Sequence, residues 1–216
     1  MGEVLDKIKS TRLAAIVQAP QRDDLMARAM AAAKGGIELL ALPVSVPFVA
    51  EIAAEVADEA DVIVGLSDVV HGDHLNVALA AGAEFVISPI FDPELIESGK
   101  KRGLEVFPSV STPNEVHHHS NYEGMLGIAH AHGLGGPDYI AFLHAAFPGV
   151  DLLALGGVGS DTAPHYLELG AAAVIVDTGL FPAELDPDSE MVIRMRASAL
   201  VEMCSSAVAG ERQSIV

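Results

Sequence analysis

Tryptophan is absent, cysteine occurs once, and lysine is confined to positions 7, 9, 34, 100 and 101 of the 216 residues. The lone Cys204 excludes an intrachain disulfide framework and suits a reducing compartment. Aromatic residues make up 5% of the chain although half of it is hydrophobic, so the core is built from Ala, Val, Leu and Ile. That composition suits buried parallel strands covered by helices. No run approaches the ~18 apolar residues of a membrane span. The opening segment, with Val4, Leu5 and Ile8 among charged residues, lacks the apolar stretch of a secretory signal and reads as an amphipathic helix. The expected location is cytoplasmic. Basic residues are also scarce: twelve Lys and Arg stand against thirty Asp and Glu, for a net charge of −18. A chain without a basic face is not expected to bind nucleic acid or an anionic membrane. Cys204, near the end of the last helix, is expected to be a buried small hydrophobe.

What the chain does have is a regular alternation. Short apolar runs fall at 13–19, 37–44, 61–68, 84–89, 104–110, 125–131, 150–158 and 172–180, with helix-length segments between them. Strands alternating with helices imply parallel pairing through right-handed crossovers. Glycines in Lys34-Gly35-Gly36, Ala81-Gly82 and Arg102-Gly103 mark helix ends directly before strands. Asp92-Pro93-Glu94, Thr112-Pro113-Asn114 and Ser160-Asp161-Thr162 carry capping side chains at helix starts. The pattern predicts one α/β domain over residues 1–216, a (β/α)8 TIM barrel with an added N-terminal helix and a C-terminal helix over 189–207. The tail after Gly210 is expected to fray. A doubly wound open sheet is the alternative.

In such a barrel, chemistry sits at the C-terminal ends of the strands. These ends carry Gln18, Pro43 with Ser45, Ser67 with Asp68, Ser88, Ser109 with Ser111, His130 with His132, Gly156-Gly157, and Asp177-Thr178. None is lysine. Gly156-Gly157 reads equally as a tight turn or as a backbone anion site.

These ends also carry a resemblance. Ile63-Val64-Gly65-Leu66-Ser67-Asp68-Val69, Ala80-Ala81-Gly82-Ala83-Glu84-Phe85-Val86-Ile87-Ser88-Pro89, Asp92-Pro93-Glu94-Leu95 and Ser111-Thr112-Pro113-Asn114-Glu115 form the first part of it. Gly156-Gly157-Val158 and Gly179-Leu180-Phe181-Pro182 continue it. Over roughly residues 10 to 185 the chain resembles the 2-keto-3-deoxy-6-phosphogluconate (KDPG) / 4-hydroxy-2-oxoglutarate (KHG) aldolase family. The resemblance implies a trimeric barrel that cleaves 2-keto-3-deoxy sugar acids to pyruvate and an aldehyde through a lysine Schiff base. The chain departs from the family where that chemistry resides. The lysine aligns with Gly127, the acid/base glutamate of strand two with Ala41, and the carboxylate-binding arginine with Ser45. An imine needs an amine nucleophile, so the inherited mechanism is not expected here. The family holds the substrate phosphate with backbone N–H groups after strands seven and eight. Gly156-Gly157 persists, with Ser160 expected to cap the next helix, but the second element reads Val176-Asp177-Thr178. An ionised Asp177 repels phosphate by about 1 to 4 kcal/mol at close range, so the expected ligand is unphosphorylated.

Histidine replaces lysine as the distinctive rim chemistry. His130 and His132 both face the mouth if the extended conformation persists, and with Asp68 across the opening they would suit a divalent metal. Simple hydrogen bonding in the mouth and a structural role in the loop are the alternatives. His71 and His74 follow strand three. His117-His118-His119 reads as a solvated helix face, and His144 and His165 as structural residues of outer helices. Two readings remain open. The first is a lyase or aldolase-like enzyme on a small unphosphorylated 2-oxo acid or sugar acid. In it His130 and Asp68 are catalytic, and Ser45, Ser67, Ser109, Gly156, Gly157, Asp177 and Thr178 bind the ligand. The second is a non-catalytic pseudoenzyme that binds a metabolite or serves as an oligomeric scaffold. No covalent cofactor is expected, and a homotrimer is implied by the resemblance.

Overall fold

Each apolar run forms a parallel strand in the computed structural model, which describes residues 2–19 and 21–213. The strands are β1 (Leu13–Ile16), β2 (Leu39–Pro43), β3 (Ile63–Ser67), β4 (Phe85–Ile87), β5 (Glu105–Phe107), β6 (Ser109–Val110), β7 (Leu126–Ile128), β8 (Leu152–Ala154) and β9 (Ala173–Val176). The predicted fifth strand is two, because Pro108 has no N–H to donate and interrupts the ladder. β5 pairs with β4 and β6 with β7, so the sheet order β5-β4-β3-β2-β1-β9-β8-β7-β6 has its two ends joined through Pro108. The sheet therefore returns on itself as the predicted (β/α)8 barrel, and the open-sheet alternative is excluded.

The helices are α1 (Gly2–Thr11), α2 (Arg22–Lys34), α3 (Val49–Glu59), α4 (Gly72–Ala80), α5 (Pro93–Lys101), α6 (Pro113–His118), α7 (Pro137–Ala146), α8 (Ala163–Glu168) and α9 (Ser189–Gln213). Val4 and Ile8, one turn apart on α1, close the floor of the barrel. Gly36, Gly82 and Gly103 take positive φ where helices give way to strands. Asp92 Oδ1 accepts from the Glu94 N–H at 2.9 Å, and Thr112 with Glu115 forms a reciprocal capping box. The third predicted cap differs. Thr162, not Ser160, occupies the N-cap of α8 without capping it, and its Oγ1 accepts from the Gly159 N–H at 3.0 Å to close the preceding turn. Helix α9 runs six residues beyond its expected end and continues through Gly210, while 214–216 lie outside the described residues. Among the described residues no helix is long and apolar enough to cross a membrane.

Alternation along the strands separates two cores. One face of the strands, with Leu40, Leu42, Leu66, Val86, Leu126, Ile128, Val174 and Val176, packs under the helices. The other face fills the lumen with Ala14, Ile16, Leu39, Ala41, Phe85, Ile87, Phe107, Leu153, Leu155 and Ile175. The lumen accepts Phe85 because Gly65 stands on the neighbouring strand. A Cβ at Gly65 would lie 2.5 to 2.6 Å from three carbons of that ring. Gly65→Ala is accordingly expected to lower stability by about 1 to 3 kcal/mol through overpacking, read as a lower urea midpoint with an unchanged slope.

Candidate active site

The strands stop short of the runs that announced them because the chain turns at the rim. Asp68, directly after β3, and His130, two residues after β7, both take the left-handed conformation, with φ of 61° and 55°. That conformation is uncommon for residues other than glycine and concentrates where structure is held for function. Residues 129–136 form a turn, so His130 and His132 do not alternate on a strand.

The turn brings His130 against β8. A Cβ at Gly156 would lie 2.5 Å from the His130 nitrogen, and one at Gly157 would lie 3.0 Å from the His132 Cβ. Gly156 and Gly157 also have φ of 85° and 75°, so both the close approach and the backbone require glycine here. The N–H of Gly157 is met by the two carboxylate oxygens of Asp177, at 3.0 and 3.1 Å. An exposed backbone N–H in such a turn attracts anions, and the chain supplies its own. Burial pushes the Asp177 carboxyl above its ordinary value. The backbone N–H groups of Gly157, Asp177 and Val158 and the nearby His130 pull the other way. Thr178 is exposed beside it and bridges to Gly159.

Below the rim, Gly127 faces the lumen between Ser109 and Leu155. A Cβ there would lie 2.5 Å from Ser109 Oγ, 2.8 Å from Leu155 Cδ2 and 3.1 Å from the Pro108 oxygen. Ser109 is only 2% exposed and its hydroxyl has no partner, so it is buried under the mouth instead of lining it. Ser67, 1% exposed, donates to Asp68 Oδ2 at 3.1 Å and orients that carboxylate from beneath. The lysines are engaged elsewhere. Lys7, Lys9, Lys34 and Lys101 pair with Glu38, Asp151, Glu190 and Glu97, and the Lys100 ammonium lies 4.7 Å above the Tyr122 ring.

On the opposite half of the mouth, a cavity of about 510 Å³ opens between the ends of β1, β2 and β3, lined by Gln18, Pro43, Ser45, Asp68, Ala183 and Arg28 among others. Ser45 and Asp68 both line it. Arg28 did not figure among the predicted site residues. It lies on the stripe of α2 that buries Leu25, Ala29 and Ala32, and a charged residue on an apolar stripe was the signal that marks it.

The predicted metal set is not assembled. Among the described residues no three side chains of His, Cys, Asp and Glu are grouped to hold one ion, so Asp68, His130 and His132 do not converge. The turn after Ile128 places the histidines against Gly156 and Gly157, while Asp68 lines the cavity across the mouth. The other histidines are accounted for locally. His74 Nδ1 accepts from the Val70 N–H at 3.2 Å and its ring meets His71 edge-on. His165 lies 3.1 Å from Glu168 on α8. His117 and His118 are exposed as expected, whereas His119 stacks on Phe91 with ring centroids 3.5 Å apart.

Comparison with known proteins places this geometry. The family model for KDPG and KHG aldolases matches residues 4–195. The 2-dehydro-3-deoxy-phosphogluconate aldolase of Treponema pallidum is 24% identical over 169 residues, covering 77% of this chain and 80% of that protein. The structure of the 2-keto-3-deoxy-6-phosphogluconate aldolase of Zymomonas mobilis with 3-phosphoglycerate superposes with a TM-score of 0.77 at 20% identity, over 91% of this chain and 95% of that one. The KDPG aldolase of Legionella pneumophila, with pyruvate captured as a covalent carbinolamine, gives 0.71 at 22% identity, over 93% and 95%.

The Asp177 carboxyl titrates higher in the folded chain than its ordinary value of 3.8. Between the two values the folded state holds the extra proton, so stability falls as pH rises across that window and levels off above it. Asp177→Asn keeps an oxygen for the Gly157 N–H and removes the titration. Urea unfolding at stepped pH is expected to show the wild type losing ground to Asp177→Asn from about pH 4 upward, with no further change above the folded value.

Proposed function

Because the chain belongs to the KDPG and KHG aldolase family, we propose that it is a carbon–carbon lyase for a small unphosphorylated 2-oxo acid or sugar acid, working without a lysine imine. The observation that carries the reading is the Asp177 carboxylate on the Gly157 N–H. A phosphate brought to this turn would have to displace a tethered carboxylate, or lie beside it at a cost of about 1 to 4 kcal/mol. The position aligned with the family's lysine supports the second half of the reading, since Ser109 and Leu155 fill the space in front of Gly127.

Cleavage of a 4-hydroxy-2-oxo acid needs a base on the C4 hydroxyl and a stabiliser for the electrons that arrive on the C2 oxygen as the C3–C4 bond breaks. His130 stands exposed at the rim and takes the hydroxyl proton. The aldehyde leaves, the C3–C4 electrons form the enolate of pyruvate, and the proton held on His130 passes to C3 as the C2 carbonyl re-forms. Asp68, held by Ser67, and the exposed Ser45 and Thr178 orient hydroxyls of the substrate. The trimer implied by the resemblance belongs to the same reading. The packed position at Gly127 also suits a second reading, a metabolite-binding descendant that no longer turns over.

Pyruvate release from 2-keto-3-deoxygluconate and from its 6-phosphate, followed by a lactate dehydrogenase couple, tests the proposal. Turnover is expected on the unphosphorylated acid, with about a hundredfold loss in His130→Ala. Pyruvate with borohydride is expected to leave the protein mass unchanged; a reduced adduct on an amine, or preference for the phosphorylated acid, would overturn the reading. No turnover on either acid leaves the binding descendant. Asp177→Ser vacates the Gly157 N–H, and calorimetry is expected to show tighter binding of inorganic phosphate to that variant than to the wild type.

A further inference from the structure

The cavity between β1, β2 and β3 contains a buried positive charge that no carboxylate of the described residues neutralises. Arg28 is 6% exposed. Two of its five N–H donors are committed to main-chain carbonyls: Nη1 donates to Gln18 O at 3.0 Å and Nη2 to Ala183 O at 3.2 Å. Nε is buried without a partner. Among the described residues no carboxylate lies within ion-pair distance of the guanidinium, although Asp and Glu outnumber Lys and Arg by thirty to twelve. The paired arginine on the same helix, Arg22, meets Glu55 at 2.6 Å in the open. Removing an arginine from water without an anion is costly, and the cost persists where a ligand repays it. A planar fork with donors to spare fits a carboxylate by two parallel hydrogen bonds.

The rest of the wall specifies the remainder of the ligand. Asp68 and Ser45 are exposed in the same cavity. A second carboxylate or a phosphate near Asp68 would be repelled, whereas hydroxyl groups would donate to it. The volume of about 510 Å³ is within the range of small-molecule sites. We infer that Arg28 and the cavity it lines form the binding site for a polyhydroxylated monocarboxylate, with the carboxylate on Arg28 and hydroxyls on Asp68 and Ser45. The inference deepens the proposed function by naming how the acid is held, and its test is independent of turnover.

Calorimetry with D-gluconate and with sorbitol, the uncharged polyol of the same carbon chain, reads the assignment directly. The wild type is expected to bind gluconate at least tenfold more tightly than sorbitol. Arg28→Gln is expected to erase that preference. Because Arg28 also ties two loops together and its loss can unfold the chain, Ser45→Asp gives a second reading from an exposed wall position. Its carboxylate is expected to weaken gluconate tenfold or more and to lower the preference for gluconate over sorbitol. Absence of gluconate binding, equal binding of the two probes by the wild type, or a Ser45→Asp variant that keeps full preference for gluconate would overturn the assignment. A chain that binds gluconate as described and cleaves neither oxo acid would sink the lyase reading and leave the cavity assignment standing.

Discussion

A closed ring of eight parallel strands leaves a lumen that side chains alone can fill, and its layers must be shared among facing strands. In this chain the sharing is unequal: Phe85 and Phe107 project inward, ring centroids 5.8 Å apart, while other lumen positions are small, Gly65 on the neighbouring strand and Ala14, Ala41 and Ala173 elsewhere in the ring. The constraint extends upward to the rim. At Gly127 the packing is close enough that a Cβ there would lie 2.5 Å from Ser109 Oγ and 2.8 Å from Leu155 Cδ2. A side chain at 127 requires the ends of Ser109 and Leu155 to shift.

Above the lumen, the mouth divides into two halves of opposite character. On the side of β7, β8 and β9, a left-handed His130 and two left-handed glycines form a turn whose N–H is held by Asp177. That half is electrostatically satisfied from within. On the side of β1, β2 and β3, Arg28 is bound, among the described residues, to carbonyl oxygens and faces a cavity shared with Asp68 and Ser45. An internal anion fills one half and an uncompensated cation stands at the other, so the mouth is polarised across its width.

Much of this was legible beforehand, for reasons that differ from element to element. The barrel followed from alternation of apolar runs with helical segments, since buried parallel strands and amphipathic helices leave periodic traces. The capping box at Thr112 and Glu115 and the Gly36, Gly82 and Gly103 helix ends were visible because their chemistry is local. The break at Pro108 could have been read from the same chemistry, and the apolar run around it concealed it. Strand ends were overextended because hydrophobic residues continue into rim turns, where Asp68 and His130 abandon the extended conformation. The same overextension produced the metal set of Asp68, His130 and His132, which depended on alternation persisting past Ile128. Arg28 carries no local motif, and its burial on the Leu25, Ala29 and Ala32 side of α2 shows only when the helix packs.

The absence of lysine from the strand ends, the acidic excess and the order of strands and helices are properties of the chain read in one dimension, because composition and periodicity act within a few residues. Convergence is not such a property. Asp177 reaches Gly157 across 20 residues, and Arg28 is tied to Ala183 across 155. The first separation is bridged when β9 pairs beside β8, and the second only when the ring closes and brings β9 and its following loop beside β1. The residue types available to the site were determined by sequence. The tertiary structure decided which carboxylate meets which N–H and which carbonyls hold Arg28, since contact between distant segments exists only once their strands have paired.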